Sequence, residues 1–86
     1  MKVTVLFTPE FVKTFKNLEH DLQNEIIEKI NLFSETDNHP RLKVHKLHGR
    51  LKGRSSFSVN YKYRIVFKYV NKTPVLLTVG NHDIYK

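Results

Sequence analysis

Three short segments hold the side chains best suited to chemistry. They are His45-Lys46-Leu47-His48-Gly49-Arg50-Leu51-Lys52-Gly53-Arg54, Tyr61-Lys62-Tyr63-Arg64 and the closing His82-Asp83-Ile84-Tyr85-Lys86. Together they supply proton-exchanging groups and permanent cations. Cleaving RNA without a metal needs that combination: a base takes the 2′-OH proton, an acid protonates the leaving 5′-oxygen, and cations stabilise charge building on the phosphate. His, Lys and Tyr exchange protons, while Arg presents a fixed charge with a forked donor geometry. His45, His48, His82 and Asp83 are also metal-ligand types. Lys46 and Arg50 flank the first two and would repel a cation, so neither a metal nor a cofactor is expected. His20 and His39 fit structural or solvent-exposed roles. There is no Cys, which excludes thiolate chemistry and disulfides.

Charge along the chain supports a polyanionic partner. Residues 1–37 carry seven acids against four lysines, a net of −3, whereas residues 38–86 carry eleven Lys or Arg against one acid, a net of +10. A half this basic suits nucleic acid, since each neutralised phosphate releases counterions; a solvated basic face, or one that docks an acidic protein, is the alternative. Pro9 and Glu10 interrupt the first apolar run too early for a secretory signal, and no apolar stretch approaches the ~20 residues of a membrane span. The chain is expected to be soluble and cytoplasmic.

The elements that must position these groups follow from periodicity. Val3, Val5 and Phe7 alternate as a short strand. Thr8-Pro9-Glu10 is a helix start, with a capping hydroxyl, a proline at the first helical position and an acid at the positive end of the dipole. Phe11, Val12, Phe15 and Leu18 continue at helical spacing. After a break near 19–21, Leu22, Ile26, Ile27, Ile30 and Phe33 form the stripe of a second helix, expected to lie antiparallel to the first. Asp37-Asn38-His39-Pro40 ends it. A basic connection follows over 41–54, with Gly49 and Gly53 as turn points. Three strands come next, near 55–60, 62–69 and 74–79, the last two joined by a turn at Asn71-Lys72-Thr73-Pro74. In the middle strand Tyr63, Ile65, Phe67 and Tyr69 share one face, and Lys62, Arg64, Val66 and Lys68 the other, so one face can pack on helices while the other presents cations. The expected fold is a single α+β domain over residues 1–86. Its helix pair packs on a four-stranded, mainly antiparallel sheet.

This order and these motifs resemble the RelE/ParE superfamily of type II toxins, over essentially the whole chain. The resemblance rests on the Leu47-His48-Gly49 to Gly53 entry, the strand YRIVFKY and the closing G-x-H-D-x-Y. It implies an RNA-cutting toxin, acting on mRNA at the ribosome and silenced by a cognate antitoxin. It places Arg64 at the scissile phosphate, His82 in the active site, and Tyr85 where a terminal aromatic stacks on a base or moves a proton. His45 or His48 falls where YafQ-like members use a histidine, and His48 is carried in the catalytic set with Arg64, His82 and Tyr85. Lys52 and Arg54 fall in a segment that supplies cations, and with His45, Lys46, Arg50, Lys62 and Lys68 they are expected to hold RNA. The chain lacks any acid between Asn38 and His82, so a YoeB-type glutamate base is absent and the general base stays open. The same element order also serves ParE-type inhibitors of DNA gyrase, and inactive relatives that only bind antitoxin.

Overall fold

A computed structural model describes residues 1–81. β1 (Leu6–Phe7) leads into α1 (Pro9–Lys16) and α2 (His20–Ser34); β2 (His45–Lys46), β3 (Ser55–Ser58), β4 (Arg64–Val70) and β5 (Thr73–Gly80) follow, with one-turn 3-10 segments at Thr36–Asn38 and Gly49–Leu51. The sheet order is β1-β5-β4-β3-β2, parallel between β1 and β5 and antiparallel elsewhere. The α+β architecture is therefore the expected one, with five strands rather than four. The additional strand is the two-residue β2, drawn from the basic connection; a pair of residues has no readable period.

The start of the first helix is built as its residues dictate. Thr8 stands outside the helix, and its hydroxyl oxygen accepts from the Phe11 amide at 3.1 Å while donating to the Leu77 carbonyl at 3.0 Å. Leu77 is the extra residue of a bulge, because Val66 pairs with Thr78 and Phe67 with Leu76. Bulges leave backbone groups without a ladder partner, and the Thr8 hydroxyl satisfies this one. Thr8→Ala is expected to cost about 1–2 kcal/mol, lowering a thermal melt by roughly 5–15 °C. An unchanged melt would mean that water replaces both bonds.

The first strand is shorter than its alternation suggests. Val3 and Thr36 donate their amides to Ser34 and Met1 carbonyls, so the chain's first residues pair with the end of α2 rather than with the sheet. The turn after β4 is also tighter than expected: Val70 pairs with Thr73, leaving only Asn71 and Lys72 at the corner, with φ of 51° and 69°. Two successive left-handed residues define the turn type that matches strand twist. Asparagine's short polar side chain eases this backbone, whereas lysine adopts it at a cost. Lys72→Gly is expected to stabilise the protein by about 0.5–1 kcal/mol, read as a higher urea midpoint. Pro74 is tolerated in β5 because β1 reaches only Val75 and Leu76, so no neighbouring strand asks for its missing N–H.

The core is aromatic. Phe33 of α2 stacks on Phe57 at 4.2 Å and on His39 at 4.7 Å, and meets Phe67 edge-on at 4.8 Å; all three phenylalanines are fully buried. His39 completes this cluster by donating to the Phe33 carbonyl at 2.9 Å, a structural role. The helical stripes are wider than the buried face. Ile27 and Val12 stay exposed and line, with Phe7, Phe11, Phe15 and Ile30, an apolar groove of about 330 Å³.

Candidate functional site

The sheet face away from the helices can be read from the strand register, since paired residues share a face. One row across it is His45, Ser56, Val66 and Thr78; the next is Ser58, Arg64 and Gly80. This face is not uniformly polar. Val66 is buried, so Ile65, Val66 and Phe67 are three consecutive buried residues. The connection accounts for this: Leu51 and Arg54 line a cavity of about 290 Å³ with Val66, Thr78, Thr8 and Glu10.

Arg64 opens β4, and its guanidinium donates to the Asn60 carbonyl at 2.8 Å. Asn60 is the organiser of that turn. Its side-chain oxygen accepts from the Lys62 and Tyr63 amides at 2.9 and 2.8 Å, and its side-chain nitrogen donates to Glu25 of α2 at 2.6 Å. A helix carboxylate thus fixes a turn whose carbonyl fixes the arginine, limiting the rotamers Arg64 samples. The exposed Lys62 sits at 5.7 Å over the Tyr63 ring.

His45 has a defined protonation pattern. Its Nδ1 lies 2.9 Å from the Lys43 carbonyl, which can only accept, so Nδ1 carries the hydrogen. In the neutral ring this leaves the Nε2 lone pair as the acceptor, 3.4 Å from the Ser56 hydroxyl. An imidazole oriented by a carbonyl on one nitrogen, with a lone pair on the other, has the arrangement of a general base. From strand spacing, His45 and Arg64 are roughly 12 Å apart at Cα on this face. Both residues lie on this face, with the Arg64 guanidinium turned toward the Asn60 carbonyl.

The other predicted residues divide between places. His48, Lys46, Lys52 and Arg54 line a second depression of about 450 Å³ with Ser55 and Tyr69, at the far end of β4. His48 is thus placed with Tyr69 and not on the rows that carry Arg64. Arg50 is exposed on the 3-10 turn and Lys68 is exposed beyond Val66. His82 and Tyr85 lie outside the described residues. β5 ends at Gly80, paired with Arg64, two positions before His82 in the sequence. Among the described residues no three His, Asp or Glu side chains gather as a metal site, and no helix is long and apolar enough to cross a membrane.

Sequence reasoning missed Ser56, Asn60 and Tyr69. Ser56 was visible as the polar half of an alternation. The role of Asn60 depends on its bond to Glu25, 35 positions away, which no local pattern reveals.

A family model described as the RelE-like toxin of type II toxin-antitoxin system HigB matches residues 9–82. The chain belongs to this HigB-like toxin family. None of the curated proteins compared with it matches the chain. Among solved structures, YafQ from E. coli superposes with a TM-score of 0.76 at 18% identity, covering 96% of this chain and 97% of YafQ. The toxin-antitoxin complex RelBE2 from Mycobacterium tuberculosis gives 0.75 at 22%, covering 95% of this chain and all of the matched one. The E. coli DinJ-YafQ toxin-antitoxin complex gives 0.74 at 17%, with 98% and 97% covered. At these identities the likeness is one of fold. The HigB-like match spans every strand after β1 and both helices, so it includes Arg64, both connection histidines and His82.

Proposed function

We propose that this toxin is an endoribonuclease that cuts mRNA at the ribosome by metal-independent acid–base chemistry. The observation that supports this most is the pairing of a fixed cation with an oriented base on one sheet face: Arg64, held by Asn60, and His45, held by the Lys43 carbonyl. Nε2 of His45 takes the 2′-OH proton, and the freed oxygen attacks phosphorus. The bond to the 5′-oxygen then breaks, leaving a 2′,3′-cyclic phosphate and a 5′-hydroxyl. Arg64 stabilises the extra negative charge on the phosphate oxygens. His82 protonates the leaving oxygen and Tyr85 stacks on a base, roles that rest on the resemblance in the closing G-x-H-D-x-Y. His48 lies with the cations of the second depression, and Lys62 and Lys68 contribute backbone contacts.

The partner is a cognate antitoxin. This rests on the type II toxin-antitoxin family and on relatives crystallised with theirs, RelBE2 and DinJ-YafQ. The basic second half is a natural target for an acidic, partly disordered segment that folds on binding.

The discriminating test runs two assays on the same antitoxin-free protein: protein synthesis in a cell-free extract and plasmid supercoiling by DNA gyrase. Synthesis is expected to stop at substoichiometric toxin while supercoiling proceeds. Inhibited supercoiling with intact synthesis would transfer the protein to the gyrase-binding class. Neither effect would make it an inactive antitoxin-binding relative.

A further inference from the structure

The depression at the far end of β4 has features that backbone contacts alone do not explain. Lys46, His48, Lys52 and Arg54 surround it, and no acid is among its described lining residues. An aromatic ring stands at its wall: Tyr69 is 53% exposed, large for an aromatic on the core-facing side of a strand. The ring is not loose, because it meets the fully buried Phe67 edge-on at 5.5 Å and 83°. The backbone that carries the cations is held as well. The Leu47 amide donates to the Arg54 carbonyl at 2.9 Å, closing the loop, and Lys52 and Arg54 amides donate to Gly49 and Leu51 carbonyls. Left-handed backbone at Gly49 and Gly53, with φ of 69° and 89°, makes that closure possible.

We propose that this depression is a single-nucleotide subsite, in which an RNA base stacks on Tyr69 and its flanking phosphates meet Lys52, Arg54 and Lys46. The inference rests on the RNA-cutting function and extends it to a second position along the strand. Tyr69 lies five positions along β4 from Arg64, roughly 17 Å, so the nucleotide held here is not the one being cut. The two places lie on opposite faces, joined by the edge strand β2, which carries His45 on one face and Lys46 on the other. The RNA passes over that edge. An acidic peptide would be served by the cations alone; an ordered, half-exposed ring among them favours a base, because every base has a face to stack.

The test is equilibrium binding, by fluorescence anisotropy, of a short 2′-O-methyl oligoribonucleotide to the antitoxin-free full chain. Blocking the 2′-oxygen prevents cleavage, so occupancy is read independently of catalysis. Tyr69→Leu is expected to weaken binding about tenfold and Tyr69→Phe less than about twofold, with melting temperatures of both variants close to the parent's. Lys52→Ala is expected to weaken binding and to reduce the slope of log affinity against log salt by about one. Equal affinities for the parent and Tyr69→Leu, or no binding by the parent at low salt, would overturn the subsite. So would a glutamate-rich peptide whose binding depends on Tyr69 when that of RNA does not. A protein that binds RNA through Tyr69 but cuts no mRNA would leave the subsite standing and remove the nuclease function instead.

Discussion

Arg64→Ala is expected to slow mRNA cleavage by about 10²–10³-fold, the usual loss when a preorganised donor to a developing oxyanion is removed. The folded protein should survive the change. Arg64 is only half-buried, and its guanidinium bonds the Asn60 carbonyl at the rim of the sheet. Truncation therefore forfeits about 0.5–1.5 kcal/mol, since water can reach the carbonyl. Arg64→Lys should restore only part of the rate: it keeps the charge but loses the planar fork that meets two phosphate oxygens at once. Single-turnover cleavage of a ribosome-bound message, measured beside a thermal melt, separates the two effects. Cleavage within threefold of the parent would remove Arg64 from the site.

Phe33→Ala is expected to have the largest effect on stability. Phe33 is fully buried and shared between four aromatic rings, its own included, linking α2 to β3, β4 and His39. Losing it removes the transfer free energy of a phenyl group and leaves a cavity that stacked neighbours cannot refill, about 3–5 kcal/mol. A domain of 86 residues has roughly 4–13 kcal/mol in all. The melting temperature should fall by roughly 15–30 °C, and the urea midpoint with it. Phe33→Leu, which fills most of the volume, should recover more than half of that. A loss below about 1 kcal/mol for the alanine would mean that the rings collapse together without it.

Much of the fold was legible because its signals are local. Thr8-Pro9-Glu10 marked the start of α1, helical spacing marked Phe11 to Phe33, and alternation from Lys62 to Tyr69 marked β4, which the structure begins two residues later, at Arg64. What escaped is non-local. The two-residue β2 exists only because β3 offers an edge. The bulge at Leu77 depends on a hydroxyl 69 positions away. The burial of Val66 depends on Leu51 returning over the sheet, which alternation within β4 cannot report. The candidate site shows the same division. His45 and His48 are three residues apart and look equivalent in sequence, yet β2 pairing places His45 on the face with Arg64, while the loop carries His48 to the depression beside Tyr69. The hydrogen bond that orients the His45 ring is donated by Nδ1 to the carbonyl of Lys43, whose left-handed backbone at φ 56° no composition reveals.

The most direct measurement is mapping of new 5′ ends on a reporter mRNA by primer extension, in a translating extract and on the same mRNA without ribosomes. Metal chelation is included in the ribosome-free arm, and His45→Gln and Arg64→Ala run beside the parent. The expected result is a set of cuts that appear only with ribosomes, carry 5′-hydroxyl ends and disappear in both variants. Equal cutting of bare mRNA would keep the nuclease and remove its dependence on the ribosome. No cuts from a folded, antitoxin-free protein would contradict the nuclease altogether.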